Sequence, residues 1–240
     1  MNVFVTGATG YIGRHLIPRL IARGHTVRAL ARLTSLDKLP QGADGIVGDA
    51  LNADTFASRL APSDTLIHLV GVAHPSPAKA EEFRKIDLVS IRETVRAAVG
   101  SSIRHIIYLS VAQPAPLMKE YIAVREEGER LLRESGIPST FVRPWYVLGP
   151  GHRWPYALLP LYWLWGAFPA HRDTAQRLYP VKLADVVRVI ADAVEHPPSS
   201  VRIIEAPEMR RARSRHNGLK LSGSCEVSDR GWLQCDGRAW

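Results

Sequence analysis

Apolar residues first gather in a short run, Val3-Phe4-Val5, and then recur at Ile12, Leu16, Ile17, Leu20 and Ile21. The run shows no polar alternation, which predicts a strand buried on both faces, as in a parallel sheet. The second set repeats every three to four positions and predicts one face of a helix that runs to about Arg23, with Gly24 as its stop. Pro18 falls inside that helix, where it costs about 3 kcal/mol or a kink, yet the apolar face continues past it. The same reading predicts strands at 26–31, 45–48, 64–69, 103–109 and 138–142, with helical stretches at about 52–60, 79–98 and 119–135. Strands alternating with helices predict an α/β fold, a doubly wound parallel sheet.

Beyond Pro144 the pattern changes. Trp154, Tyr156, Tyr162, Trp163, Trp165 and Phe168 stand among leucines and are interrupted by Pro155 and Pro160. A helix follows with Val186, Val187, Ile190, Ala191 and Val194 on its apolar face, and then a strand at 201–204. From Pro207 all periodicity is lost. The expected organisation is a nucleotide-binding domain over 1–150, a small C-terminal subdomain over 151–206 that completes the fold, and a poorly ordered basic tail over 207–240.

Thr6-Gly7-Ala8-Thr9-Gly10-Tyr11-Ile12-Gly13 lies between the first strand and the first helix. Glycines 7, 10 and 13 therefore sit where the chain must turn tightly, admit a pyrophosphate and pack a helix on a strand. The helix N-terminus offers that phosphate free N–H groups and a partial positive charge. This position, more than the triplet itself, predicts dinucleotide binding.

At 46% hydrophobic and 22% charged, the 240 residues read as a globular chain. No apolar run is long enough for a membrane helix. No basic and apolar cleavable leader precedes the first strand, and Cys225 and Cys235 both fall in the tail. A cytoplasmic location is expected. The net charge of +8 is spread along the chain without a nucleic-acid-binding motif, and the residues from Pro207 onward carry +3 of it, from seven Lys/Arg against four Asp/Glu. It reads as a basic surface that favours an anionic cofactor, with no nucleic-acid partner.

These residues resemble the extended and atypical branches of the short-chain dehydrogenase/reductase superfamily, NAD(P)-binding proteins with a Rossmann fold. Gly48-Asp49-Ala50-Leu51 resembles the element beside the adenine, and His68-Leu69-Val70-Gly71 the start of the nicotinamide-side loop. Arg143-Pro144 with Gly149-Pro150-Gly151 is similar to the segment after strand six, and 180–186 to a Pro-Val-x-x-x-Asp-Val element. The aromatic block from Gly151 gives a narrower likeness to the NADPH-binding accessory subunit of respiratory complex I and its bacterial relatives. The resemblance spans residues 1 to about 206.

It implies a cofactor site of Gly7, Thr9, Gly10, Tyr11, Ile12, Gly13, Arg32, Asp49, Ala50, Leu69, Val70, Gly71 and Pro144. Arg32 after the second strand, with no acidic residue at that strand's end, implies NADP(H) ahead of NAD(H). Arg28 is either a helper or turned away. Members that are enzymes use a tyrosine, a lysine four residues later and a serine that polarises the substrate carbonyl. Here Tyr121, Arg125 and Ser110 occupy those places, so arginine replaces the lysine. A tyrosine titrates near pH 10 and needs a neighbouring cation to act as a base at neutral pH. A planar guanidinium does not replace a compact ammonium at a shared hydrogen-bonding site.

Two readings follow. In one, the pair is catalytic in an oxidoreductase moving hydride between NADP(H) and a small apolar carbonyl or quinone-like substrate. In the other, Tyr121 is a half-buried aromatic, Arg125 a surface partner of Glu129 and Ser110 a capping hydroxyl, in a non-catalytic NADPH-binding structural or sensor protein, with a membrane-associated complex as one setting for it. His68, His74 and His152 read as loop histidines and no metal site is expected. Glu81, Glu82, Glu126, Glu127 and Glu129 read as solvated helix faces, and Asp185 as a helix cap. The aromatic segment 153–169 admits core packing, a substrate lid or peripheral membrane contact.

Overall fold

The computed structural model describes residues 1–115, 117–150 and 172–211, together with the backbone of Glu226–Val227 and Leu233–Gln234. Seven strands form one sheet: β1 (Asn2–Thr6), β2 (Thr26–Ala31), β3 (Asp44–Val47), β4 (Thr65–His68), β5 (His105–Leu109), β6 (Ser139–Arg143) and β9 (Val201–Glu205). Their order is β3-β2-β1-β4-β5-β6-β9 and each pairing is parallel. Two further strands, β7 (Val147–Leu148) and β8 (Val181–Lys182), pair in parallel as a separate small sheet.

Successive side chains of a strand point to opposite faces, and here both faces are covered. Val3 and Val5 of β1 pack with α1 (Tyr11–Ala22) and α6 (Leu183–Glu195) on one side. Phe4 packs on the other with Phe56, Ile91 of α3 (Val89–Ala98) and Leu132 of α4 (Lys119–Glu134). The doubly wound sheet is therefore as the pattern predicts. α1 continues through Pro18, because Leu16, Ile17 and Leu20 on its inner face are fully buried.

Three elements differ from expectation. The stretch 52–60 forms two 3-10 turns, Ala53–Thr55 and Ala57–Arg59. Asn52 accepts from the Asp54 N–H, and Phe56 between the turns has φ −141°, outside helical space. The long helix at 79–98 is split into α2 (Ala80–Glu82), a π turn over Phe83–Leu88, and α3. The extra residue of a π turn changes which side chains face inward, and here Phe83 and Asp87 are both fully buried. β5 starts at His105, since the N–H of Ile103 goes to the Ser101 hydroxyl.

At the C-terminal end the packed body passes residue 206. Residues 206–211 form a helical segment, α7, in which Ala206 and Met209 are fully buried against α1 and α6. Arg188 of α6 donates to the Met209 carbonyl at 3.1 Å. One helical segment is too short to show a period in the sequence, so this anchor was not legible there. Asp185 is not a cap. Lys182 holds the N-cap position of α6 without a side-chain bond, and Asp185 pairs with Arg188 at 2.7 Å. A short helix α5 (Arg172–Arg177) precedes β8. The aromatic segment 153–169, His152 and the two cysteines lie outside the described residues. Among the described residues, no helix is long and apolar enough to cross a membrane, and no group of three His, Cys, Asp or Glu could hold a metal ion.

Candidate cofactor and active site

The strand order reverses between β1 and β4, which opens a crevice at their carboxyl ends, where dinucleotides bind in such sheets. Gly7 lies there at φ +73°, the left-handed region that glycine favours. A Cβ on Gly7 would stand 2.6 Å from the Leu69 carbonyl carbon and 2.8 Å from the Val70 nitrogen. A Cβ on Gly13 would stand 2.6 Å from the Gly7 oxygen. The turn, the first coil of α1 and the loop after β4 therefore interlock through bare backbone. Gly10 is less confined: its Cβ would meet the Gly7 oxygen at 3.1 Å, and its N–H donates to that oxygen at 3.0 Å. α1 has no side-chain cap and no acidic residue in its first turn. The N–H groups there, at Tyr11, Ile12 and Gly13 after Thr9 and Gly10, and the positive end of the helix dipole are left for an anion. A pyrophosphate fits this cradle.

Along one rim, Arg32 follows β2 as an exposed side chain with no hydrogen bond or ion pair among the described residues. Arg28 turns away, with its guanidinium on Asp44 and on the carbonyls of Arg59 and Ala61. Asp49 closes its own turn, accepting from the Leu51 N–H at 3.0 Å, with Ala50 partly buried beside it. Leu69, Val70 and Gly71 run across Gly7, and the Leu69 N–H donates to the Thr6 carbonyl at 3.1 Å. Pro144 is buried after β6 and its carbonyl accepts from the Ala112 N–H.

The other wall is polar and buried. Arg125 is 3% exposed and pairs with Asp87 of the π turn at 2.6 Å. It also donates to the carbonyls of Leu109, at 2.9 Å, and Val70, at 3.3 Å. Its terminal nitrogen fills the place where Gly71 would carry a Cβ. Burial opposes the Arg125 charge, but Tyr121, Tyr108 and Asp87 around it outweigh that and raise its pKa. Burial pushes the Asp87 carboxyl up, against the pull of Arg125 and the Val72 N–H. The Tyr121 ring lies beside Arg125, 5.2 Å from the guanidinium carbon to the ring centre, and 4.9 Å from the Phe83 ring. Its hydroxyl makes no hydrogen bond among the described residues.

Ser110, at the end of β5, donates to Glu129 Oε1 at 2.7 Å. Gln113 donates to the same oxygen at 3.1 Å and Arg143 Nε at 2.8 Å, while Arg143 Nη2 and Arg133 reach Oε2. Glu129 is 1% exposed, so its reading as a solvated carboxylate is overturned, and so is its pairing with Arg125. Sequence reasoning missed Asp87 and Gln113, placed Glu129 in solvent, and gave Arg143 only as part of a motif without a role. The signal for Glu129 was its spacing, since Arg125, Gly128, Glu129 and Leu132 share the buried face of α4.

His68 is not a loop residue. It is buried at the end of β4, with Nδ1 3.0 Å from both Thr6 Oγ1 and Thr94 Oγ1, and Nε2 3.3 Å from Ser90 Oγ. Ser90 gives its proton to the Asp87 carbonyl, so the network assigns the ring proton to Nε2. Burial, with Arg125 nearby, lowers its pKa to about 3 and keeps it neutral. His74 is exposed with φ 51°. The structure thus brings the glycines to Leu69–Gly71 and Tyr121 to Arg125, but ties Ser110 to Glu129.

A family model described as NAD(P)H-binding matches residues 7–197. A ketoreductase of 4-hydroxy-2-methyl-3-oxo-4-farnesyl-3,4-dihydroquinoline-1-oxide from Stigmatella aurantiaca is 29% identical over 62% of this chain and 51% of its own length. A ceramide reductase from Caulobacter vibrioides is 30% identical over 62% of this chain and 47% of its own. The chain thus spans about half the length of these relatives. An NAD-bound short-chain dehydrogenase/reductase superfamily protein from Agrobacterium tumefaciens superposes with a TM-score of 0.64 at 16% identity, over 91% of this chain and 83% of that one. The chain belongs to the NAD(P)H-binding family and has the Rossmann fold of the short-chain dehydrogenases/reductases.

Proposed function

We propose that this chain binds NADP(H) in the β1/β4 crevice and serves as an oxidoreductase for a small apolar carbonyl or quinone-like substrate. The interlocked Gly7 and Gly13 backbone carries the binding half, because a Cβ at either position would collide with neighbouring backbone and disrupt the turn that leaves the first N–H groups of α1 open to an anion. Arg32, exposed and uncommitted, supports a 2′-phosphate on the adenine-side ribose. The relatives named above, both reductases, favour reduction of an apolar molecule. The bound cofactor would supply or accept hydride. Asp87 and Arg125 hold Leu69–Gly71 in place as the nicotinamide-side wall, and Tyr121, whose ring centre lies 5.2 Å from the Arg125 guanidinium carbon, is the candidate proton-bearing group.

The buried Arg125–Asp87 pair favours a second reading, a protein that binds NADPH without turnover, as in the complex I accessory subunit group. Calorimetric titration with NADPH and NADH, followed by a panel of aldehydes, ketones and quinones, separates the two. The first reading expects tighter NADPH binding and turnover of at least one class, both lost in Gly10→Leu. Tight NADPH binding with no turnover across the panel assigns the second.

A further inference from the structure

We infer, resting on the reductase reading above, that the substrate is a quinone-type acceptor and not an isolated ketone or aldehyde. Hydride added to an isolated carbonyl leaves an alkoxide, a strong base that needs a proton or firm donors as it forms. Two of the groups at the places where the family supplies that help are already committed. Ser110 has one hydroxyl proton, and it goes to Glu129 at 2.7 Å. Glu129 is itself held by Arg143, Arg133 and Gln113, so it cannot swing away and release the serine. Arg125 spends its terminal nitrogens on Asp87, Leu109 and Val70, and lies beneath Gly71 with no open side toward the crevice. Tyr121 remains, without an ammonium to share its proton.

A quinone asks less of the wall. Hydride and its electron pair leave the reduced nicotinamide, which becomes oxidised, and add to the quinone, which becomes the hydroquinone monoanion. That charge is spread over the ring, and phenols titrate near 10, so water supplies the remaining proton after the transfer. The overall change is quinone plus NADPH plus a proton, giving hydroquinone plus NADP⁺. A single positioned acid or base is worth roughly 10²–10⁴ in rate, which sets the expected gap between the two substrate classes.

The test uses the full chain loaded with NADPH, whose binding is first established by calorimetry. Single-turnover loss of reduced nicotinamide is followed with 1,4-naphthoquinone and with the similarly sized ketone 1-tetralone, after subtraction of the uncatalysed rate. The expected result is a rate at least about a hundredfold faster for the quinone, with a solvent deuterium isotope effect near one. Calorimetry of the NADP⁺ complex should also show binding of 1,4-dihydroxynaphthalene and much weaker binding of 1-tetralol. Tetralone turnover within tenfold of the quinone, or a solvent isotope effect of about two or more on the quinone, overturns this inference and leaves the reductase reading intact. NADPH binding without turnover of either overturns both.

Discussion

The contact between Gly71 and Arg125 gives a quantitative handle on the site. In Gly71→Ala the new methyl group collides with the terminal nitrogen of Arg125 and lies 3.2 Å from Asp87 Oδ1. Either the guanidinium leaves its carboxylate or the loop after β4 lifts off the sheet. Separating a fully buried ion pair typically costs about 3–5 kcal/mol, because each charge loses its partner while still out of water. Lifting the loop removes the Val72 N–H to Asp87 bond and the contact with Val70, for a loss of about 2–3 kcal/mol. The expected destabilisation is therefore about 3 kcal/mol in urea unfolding monitored by circular dichroism. A second background isolates the cause. In Asp87→Asn/Arg125→Met the colliding nitrogen and both charges are gone, so adding Gly71→Ala there should cost under about 1 kcal/mol, a coupling of about 2. Additivity within about 0.5 kcal/mol would refute the claim that Gly71 exists to admit Arg125.

Acid should weaken the fold through two buried histidines, His68 with its pKa lowered to about 3 and His105 lowered to about 4 by burial. Below about 6.5 the unfolded chain binds protons that the folded chain refuses, so stability is level above that pH and falls toward 4; near pH 5 each histidine costs about 2 kcal/mol. Replacing His105 with Gln should flatten the fall measured by urea unfolding between neutral pH and pH 5 by about that amount. Met209→Ala should destabilise by about 2–5 kcal/mol in urea unfolding, since the side chain is fully buried. Arg32→Ala should weaken NADPH binding about tenfold or more and leave NADH binding unchanged in calorimetry, the loss expected for one charge-assisted phosphate contact.

Much of the fold was legible because it rests on local patterns. Val3-Phe4-Val5 followed by the helical spacing from Ile12 predicts a strand feeding a helix, and the glycines between them mark the tight turn that joins the two. Parallel pairing followed from the alternation of elements, since two parallel strands need a crossover between them. Pro18 did not break α1, because burial of the inner face outweighs one lost backbone bond. The 3-10 turns near Phe56 and the π turn near Asp87 escaped notice, because side-chain bonds and tertiary packing decide between helix types of similar local energy.

The polar wall was decided by tertiary structure alone. Tyr121, Arg125 and Glu129 recur at helical spacing, but their spacing does not say which side of α4 faces the sheet. That depends on the shape of β5, β6 and the loop after β4, which together bury Arg125 and Glu129. Once out of water, each charge had to find a partner, and the partners came from distant parts of the chain: Asp87 for Arg125, and Ser110 and Arg143 for Glu129. A sequence sets which residues can ionise. Which of them share a dry pocket, and so which protons and charges are free for chemistry, is fixed only when the elements pack.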